Sequence, residues 1–303
     1  MRYVRWVAIM VLLSVGIGKA NIIDDARDFF NSKSAGMGIP SLKLGVGAKN
    51  LALGGGILSR DATLLFWNPS LIPLVSGFNA SFSHSSQFLG TRYEFAGMVW
   101  GDEISGYGIG AKYFTAGDIE LRDSRQMLYG TYSPFSLVSY FSYGRKSGDI
   151  WLGGSFKYIY ERCHVYSLRG YAMDFGFNYI PISTLNVAFA VSNMGPRVSY
   201  GIEGSTPIKL PLTFEFSTGY EFKKFGFSAS FRKALDEVFT AGVGVEYTPN
   251  PYITLRMGER VGYDLMGASF GFGVNYARLA LDYAYLPFEL DLGSSHHITI
   301  AIK

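Results

Sequence analysis

Hydrophobic and polar residues alternate with a period of two along nearly all of the chain after residue 75. In residues 171–179, large apolar side chains share one face of this pattern, and small or polar side chains share the other. The first set is Tyr171, Met173, Phe175, Phe177 and Tyr179, and the second is Ala172, Asp174, Gly176 and Asn178. Successive side chains of a β-strand point to opposite faces, whereas helical residues share a face every three or four positions. The pattern therefore predicts β-strands with one apolar face, because helical spacing is nearly absent.

The second face of each strand indicates whether water or lipid surrounds the sheet. In residues 225–232 and 239–247 this face is small or polar, with Gly, Ser and Thr and few charges. The outer face of a soluble sheet would carry Lys and Glu instead. Aromatic residues make up 16% of the chain and charged residues only 17%, whereas soluble domains carry about 25% charge. No apolar run after residue 20 reaches the roughly 18 residues of a transmembrane helix. The sequence thus predicts an all-β fold, a transmembrane antiparallel up-and-down β-barrel.

The alternating segments predict a barrel of about fourteen strands over residues 76–303. The candidate strands span residues 76–86, 90–101, 105–115, 135–146, 149–162, 166–180, 184–193, 211–222, 225–235, 237–249, 251–259, 267–276, 278–286 and 294–302. Single-chain bacterial barrels have an even number of strands, with short turns at one end and longer loops at the other. The links largely alternate in this way, with longer ones at 116–134, 194–210, 259–266 and 287–293.

Residues 1–20 have the pattern of a secretory signal peptide. Arg2 and Arg5 precede an apolar stretch, and Gly18-Lys19-Ala20 forms a small-x-small cleavage site that leaves Asn21 first. The alternative is an N-terminal anchor, although the stretch is shorter than the roughly 20 residues that span a bilayer. Without Arg2, Arg5 and Lys19 the 27 basic residues fall to 24, which equals the 24 acidic ones. A neutral mature chain lacks the basic surface that nucleic-acid binding needs, so nucleic acid is not an expected partner.

Residues 21–75 do not show barrel alternation and are predicted to form a hatch inside the lumen. Gly54, Gly55 and Gly56 would let this segment bend, and Trp67, Asn68 and Pro69 would shape a kinked, packed element. Irregular backbone at membrane depth is tolerated only inside the protein, which favours a plug. A disordered leader is the alternative.

Motifs that suggest catalysis or cofactor binding have the wrong context. Ser269 lies in a G-x-S-x-G sequence, but the alternation continues through it, so it is expected to face the lumen from a continuous strand. His84 among serines keeps an outer-membrane hydrolase formally open. The four histidines are too scattered to predict a metal site, and the period-two glycines at 106–110, 242–244 and 271–273 precede no helix. We expect no enzyme activity, metal or cofactor, and we interpret these glycines as an inner wall that the hatch approaches closely.

Several short motifs resemble one known family. The segment GVGAKNLALGGG at 45–56, the pair Asp61-Ala62 and the run Trp67-Asn68-Pro69-Ser70 resemble the N-terminal signature of the PorV/PorQ family, which is related to FadL-type fatty-acid transporters. Ala172-Met-Asp174-Phe-Gly176 is similar to the A-x-D-x-G strand of that family. Val191-Ser-Asn193-Met-Gly195, followed by Leu210-Pro211, is similar to its Asn-x-Gly loop and strand entry. Ser70 departs from the usual alanine.

The resemblance implies a fourteen-stranded barrel with an N-terminal hatch in the outer membrane of a diderm bacterium. Two roles are known in the wider group, namely passage of hydrophobic molecules and escort of exported proteins in type IX secretion. The expected partners are outer-membrane lipid, the barrel-assembly machinery, and either a hydrophobic small molecule or exported proteins. We predict Asp174, Asn178 and Glu246 as lumen contacts for a ligand. The alternative function is a structural or adhesive surface barrel with a closed lumen.

Overall fold

Strands that follow one another along the chain pair side by side, and the last pairs with the first to close a barrel. The computed structural model describes residues 38–87, 90–203, 205–263 and 265–303, and within them fourteen strands form this barrel. They are β1 (Gly77–Ser86), β2 (Arg92–Gly101), β3 (Ser105–Thr115), β6 (Phe135–Ser147), β7 (Ile150–Cys163), β8 (Tyr166–Ile182), β9 (Leu185–Met194), β10 (Thr213–Phe222), β11 (Phe225–Ala234), β12 (Thr240–Asn250), β13 (Ile253–Val261), β14 (Ser269–Tyr276), β15 (Leu279–Pro287) and β16 (Ser294–Ile302). The predicted fourteen-stranded antiparallel barrel is confirmed.

The alternation along the strands separates an apolar outer face from a small or polar inner face. On β8 the outward Phe175 is 51% exposed, whereas the inward Asp174 is 1% exposed. Outward aromatic and aliphatic side chains recur on the other barrel strands. Such a band suits contact with lipid hydrocarbon. In the described part of the chain, no helix has the length and apolar character needed to cross a membrane.

The connections divide the barrel into two ends. At the short-turn end, strands are joined across 102–104, 148–149, 183–184, 223–224, 251–252 and 277–278, and β1 begins and β16 ends there. At the long-loop end the connections include 116–134 and 195–212, together with the two-residue link 164–165. This distribution agrees with the predicted alternation of short and long links.

The region 116–134, which was predicted as a loop, contains a hairpin of its own. Strand β4 (Ile119–Arg122) pairs with β5 (Leu128–Tyr132) as a separate two-stranded sheet above the barrel wall. The sequence prediction missed it because both strands are short and exposed on both faces, which leaves no apolar alternation to detect. The long loop between β9 and β10 is likewise tied by a bridge between Val198 and Ile208.

The chain before β1 lies inside the barrel. It contains a 3-10 helix (Pro40–Leu42), α1 (Ala48–Ala52), α2 (Leu64–Trp67) and a second 3-10 helix (Pro69–Leu74). Leu64, Leu65 and Ile72 are fully buried against barrel residues. We refer to residues 38–76 as the hatch. The predicted signal peptide at 1–20 and the start of the predicted hatch segment, 21–37, lie outside the described residues.

Glycines on the barrel wall receive the hatch at close range. A β-carbon on Gly144 would lie 2.6 Å from the carbonyl oxygen of Pro69, and one on Gly106 would lie 2.7 Å from the backbone nitrogen of Pro73. The wall glycines in such contact with hatch atoms are Gly97, Gly101, Gly106, Gly108, Gly110, Gly144, Gly153, Gly176, Gly219, Gly226, Gly242, Gly244, Gly258 and Gly271. Several belong to the period-two repeats interpreted above as an inner wall for the hatch. The repeats therefore make room for the close approach of the hatch.

Candidate functional site

The glycine turn of the hatch follows α1. Gly54 and Gly55 have φ angles of 68° and 92°, which a residue with a side chain rarely adopts. The Gly55 N–H donates to the carbonyl of Asn50 at 2.9 Å. Gly56 has an ordinary φ and lies against Ser228 of the wall. Gly54 and Gly55 thus form the turn after α1, while Gly56 leaves space for Ser228.

Hydrogen bonds of Trp67 and Asn68 join separate parts of the hatch and attach the hatch to the barrel wall. The indole Nε1 of Trp67 donates to the carbonyl of Val46 at 2.8 Å. Asn68 ends α2 in extended geometry, and its Oδ1 accepts the backbone N–H of Ser70 at 3.0 Å. Its Nδ2 donates to the carbonyl of Phe189 on β9 at 3.2 Å. Pro69, which has no N–H to donate, begins the next 3-10 helix. This Asn-Pro element therefore docks the hatch on the barrel.

The hatch divides the lumen into two chambers. The outer chamber, about 80 Å³, faces the long-loop end and is bounded by Leu51 and Trp67 of the hatch. The inner chamber, about 700 Å³, faces the short-turn end and is bounded by Lys49 and Asp61. None of the described residues lines both chambers. Because Lys49 and Leu51 lie on opposite sides of α1, this short helix is the partition.

The first hatch residues, 38–46, form a roof over the outer chamber. Lys43 makes 2.6 Å ion pairs with Asp236 and Glu237 in the loop between β11 and β12. Burial lowers the pKa of Lys43, but hydrogen bonds and attraction from these two carboxylates outweigh that effect and leave the pKa above its usual value. The roof is therefore latched to an external loop.

A buried lysine of the wall also holds the roof. Lys112 of β3 is 1% exposed and donates to the carbonyls of Ser41, at 2.6 Å, and of Leu44. Its Nζ also lies 4.7 Å from the ring centre of Phe66 and 5.2 Å from that of Tyr93. Carbonyl dipoles and aromatic faces both favour a cation. Lys112 thus fixes the roof against the wall.

Buried charges line the outer chamber. Arg260 donates from Nη2 to the carbonyl of Leu51 at 2.6 Å, and Arg232 donates from Nη1 to the carbonyl of Lys43 at 3.1 Å. Among the described residues, Nη1 of Arg260, Nε of Arg232 and Oε1 of Glu215 have no hydrogen-bond partner. All three residues line this chamber. A buried polar atom without a partner is costly, so a polar ligand group that hydrogen-bonds these atoms would bind favourably.

Ion pairs link the hatch to the wall of the inner chamber. Glu246, one of the predicted ligand contacts, lies 3.2 Å from Lys49 and 2.7 Å from Arg256. Arg256 also bonds Asp282 at 2.6 Å. Glu246 therefore lines the inner chamber, and its carboxylate holds the underside of α1.

Solved structures of similar fold include three bacterial membrane proteins. The toluene transporter TbuX of Ralstonia pickettii matches with a TM-score of 0.61 and 12% identity over 85% of this chain and 97% of that chain. The toluene transporter TodX of Pseudomonas putida matches with a TM-score of 0.60 and 10% identity over 90% and 97%. A FadL homologue of Pseudomonas aeruginosa matches with a TM-score of 0.55 and 10% identity over 88% and 99%. The chain has the FadL-type barrel fold.

At this level of identity the FadL-type likeness concerns the fold. No protein-family model and no curated protein matches the chain. The narrower PorV/PorQ resemblance therefore stays a prediction. Of these structures, TbuX and TodX are described as transporters and not as enzymes.

Within this FadL-type barrel, two predicted ligand contacts lie away from both chambers. Asp174 pairs with Lys157 at 2.6 Å, each 1% exposed, and its Oδ1 accepts the backbone N–H of Asn193 at 2.8 Å. Asn193 has a positive φ of 65° and occupies a bulge where β9 slips against β8. Asn178 is fully buried on β8. The geometry gives Asp174 a structural place, because its carboxylate neutralises a buried lysine and fixes the bulge.

Sequence reasoning missed the residues that line the outer chamber most closely. Arg232 and Arg260 occupy inward positions in the alternation of β11 and β13. That position is itself a signal, because a charge at membrane depth is costly and usually functional. Partners on the hatch could not be assigned from spacing alone.

The residues considered for catalysis or metal binding make packing and hydrogen-bond contacts within the barrel. Ser269 is the first residue of β14, is fully buried, and donates to the carbonyl of Ala52 at 3.0 Å. His84 lies on the outer face beside Glu94, with 2.7 Å between Nδ1 and Oε1. In the described ranges, no group of three or more His, Cys, Asp or Glu side chains could hold a metal ion. Ser269 thus serves hatch packing.

Proposed function

We propose that the chain is an outer-membrane barrel that passes hydrophobic molecules bearing an acidic group, with the hatch as its gate. The observation that carries this proposal is the outer chamber, closed by the roof and partition of the hatch and lined by two arginines with unpaired donors. TbuX and TodX, which share the fold, are transporters of an aromatic hydrocarbon by their titles. The FadL-type fold thus supports hydrophobic cargo, and the arginines favour an anionic group on it.

The orientation follows from the two ends. Bacterial barrels keep their short turns in the periplasm and their long loops outside. The inner chamber would then open to the periplasm and the roof would face the exterior. The signal peptide predicted at residues 1–20 would direct the chain to this membrane.

The structure corresponds to a closed state of such a transporter. Ligand pockets usually measure about 300–1,000 Å³, and the outer chamber is far smaller at about 80 Å³. Entry of cargo therefore requires movement of the roof, which has to break the latch at Lys43.

One observation favours the alternative of a closed structural or adhesive barrel. Hatch backbone lies directly on several wall glycines, among them Gly101, Gly153 and Gly244, which suits a permanent plug. A role in escort of exported proteins would instead use the external loops and hairpin β4–β5.

Mild-detergent purification from the native envelope, with mass spectrometry of small molecules and proteins, separates these functions. Enrichment of acidic amphiphiles supports the proposal. Recovery of neutral hydrocarbons alone would support transport but would contradict the requirement for an acidic group on the cargo. Exported proteins sharing a C-terminal domain would replace transport by secretion, and recovery of neither would favour the closed barrel.

Removal of an unpaired guanidinium should reduce selectivity for acids. We expect Arg260→Met to weaken binding of decanoic acid by about 10- to 100-fold, as for the loss of a charge-assisted hydrogen bond, with little change for decanol. Titration calorimetry in detergent measures both ligands. Arg122→Met, on the exposed hairpin, is the control. Equal losses for acid and alcohol would contradict a headgroup role for Arg260.

A further inference from the structure

An aromatic band on the outer face follows β3, β6, β7 and β8 toward the long-loop end. The ring centres of Tyr113 and Phe135 lie 5.6 Å apart, and those of Phe135 and Tyr160 lie 5.8 Å apart. Tyr158 and Tyr171 continue the band at 5.6 Å. Aromatic girdles of this kind mark the boundary between hydrocarbon and headgroups.

Two arginines stand at the upper rim of this band. Arg169 lies opposite Tyr160 in the β7–β8 register, with its guanidinium carbon 6.0 Å from the ring centre. Arg162 lies opposite Ser167, two positions from Arg169 on the same face. Such diagonal neighbours across a strand pair lie about 7–8 Å apart. Their side chains can therefore meet one headgroup.

The height of the pair matches the headgroup level of the external leaflet. Strand β7 begins at Ile150, and its outward residues are apolar or aromatic up to Tyr160. Ten residues of a strand tilted by about 40° rise about 25 Å, the thickness of the apolar band of such barrels. Arg162 follows immediately above that band.

Acidic side chains are scarce around Arg162 and Arg169. Glu161 is the one acid in residues 158–171, and its carboxylate accepts a hydrogen bond from Tyr200 of the long β9–β10 loop. Arg92, elsewhere on the same rim, has Glu94 and His84 beside it instead. A fork of two guanidiniums without a competing acid on its face fits a phosphate group.

We propose that Arg162 and Arg169 form a binding site for a phosphorylated lipid headgroup of the external leaflet, with Tyr160 supporting Arg169. The site rests on the proposed placement of the barrel in the outer membrane, with its long loops outward, and not on any cargo. The bound lipid headgroup would lie on the outer face of β7 and β8, which are the longest strands of the barrel.

Native mass spectrometry of the detergent-solubilised barrel, titrated with diphosphoryl lipid A and with its dephosphorylated form, tests the site. We expect preference for the phosphorylated lipid, a loss of about five-fold in affinity for Arg162→Gln or Arg169→Gln, and a larger loss for both. Arg92→Gln should bind as the parent does, and Arg169→Lys should fall between parent and Arg169→Gln.

Unchanged heat-modifiable migration in gels shows that each variant keeps its barrel. Equal loss in Arg92→Gln would mean general surface attraction and would overturn the site, as would a parent without preference for the phosphorylated lipid. Neither result bears on cargo, because decanoic acid binding by the same samples reports the lumen separately.

Discussion

Replacing Asp174 by asparagine is expected to lower the free energy of unfolding by about 3–5 kcal/mol, the usual cost of breaking a buried ion pair. Asparagine keeps the shape and the acceptor for Asn193 but leaves Lys157 charged and without its carboxylate. Denaturant unfolding of the barrel in detergent, followed by aromatic fluorescence, measures the change.

The matched control is an exposed pair of similar length. Glu120 and Arg122 lie 2.6 Å apart on the hairpin, with side chains 53% and 45% exposed, so Glu120→Gln should cost less than about 1 kcal/mol. The double variant Lys157→Met/Asp174→Leu should recover much of the loss, since it leaves no unpaired charge. An effect of Asp174→Asn no larger than that of Glu120→Gln would refute the buried pair.

Alanine at Gly153 is expected to destabilise the barrel by about 1–3 kcal/mol, as overpacking does. Its β-carbon would meet the backbone of Pro69 and Ser70, which a side-chain rotation cannot relieve. The hatch would have to shift away from β7. A lower thermal midpoint for the change in gel mobility reports this loss.

The adjacent glycine supplies the control. The nearest atom to a β-carbon on Gly154 would be the backbone carbonyl oxygen of Asp174, at 3.8 Å. Gly154→Ala should therefore leave stability unchanged or raise it by up to about 1 kcal/mol, because alanine restricts the unfolded chain. If both variants behaved alike, the hatch would not rest on β7 as described.

The sequence predicts the barrel well because lipid outside and a packed lumen inside impose opposite chemistry on alternate residues. Phe175 and Asp174 show this most directly, as neighbours on opposite faces of β8. The same contrast is missing in β4 and β5, which are exposed on both faces, and there the prediction was wrong.

The interior was less accessible to sequence reasoning. The Asn-Pro element and the wall glycines pointed to a docked hatch, but which wall position meets which hatch residue depends on barrel closure. Lys43 and Asp236 are distant in sequence and pair only in the folded protein, and the pair of Lys157 with Asp174 depends on the exact register of β7 and β8. The sequence prediction placed Asp174 at a ligand, whereas in the structure its carboxylate pairs with Lys157.

The latch at Lys43 offers the most direct test of the hatch as a gate. Lys43→Cys and Asp236→Cys, combined with Cys163→Ser, can be bridged by a short, reducible thiol cross-linker, because the native groups lie 2.6 Å apart. Asp118→Cys with Ser133→Cys, a hydrogen-bonded pair within the β4–β5 region, controls for the reagent.

Uptake of a radiolabelled fatty acid by vesicles that contain the barrel is then measured before bridging, after bridging and after reduction. A gate predicts that bridging residues 43 and 236 stops uptake, that reduction restores it, and that the 118–133 bridge has no effect. Unchanged uptake with the roof tethered would contradict the role of the hatch as the gate.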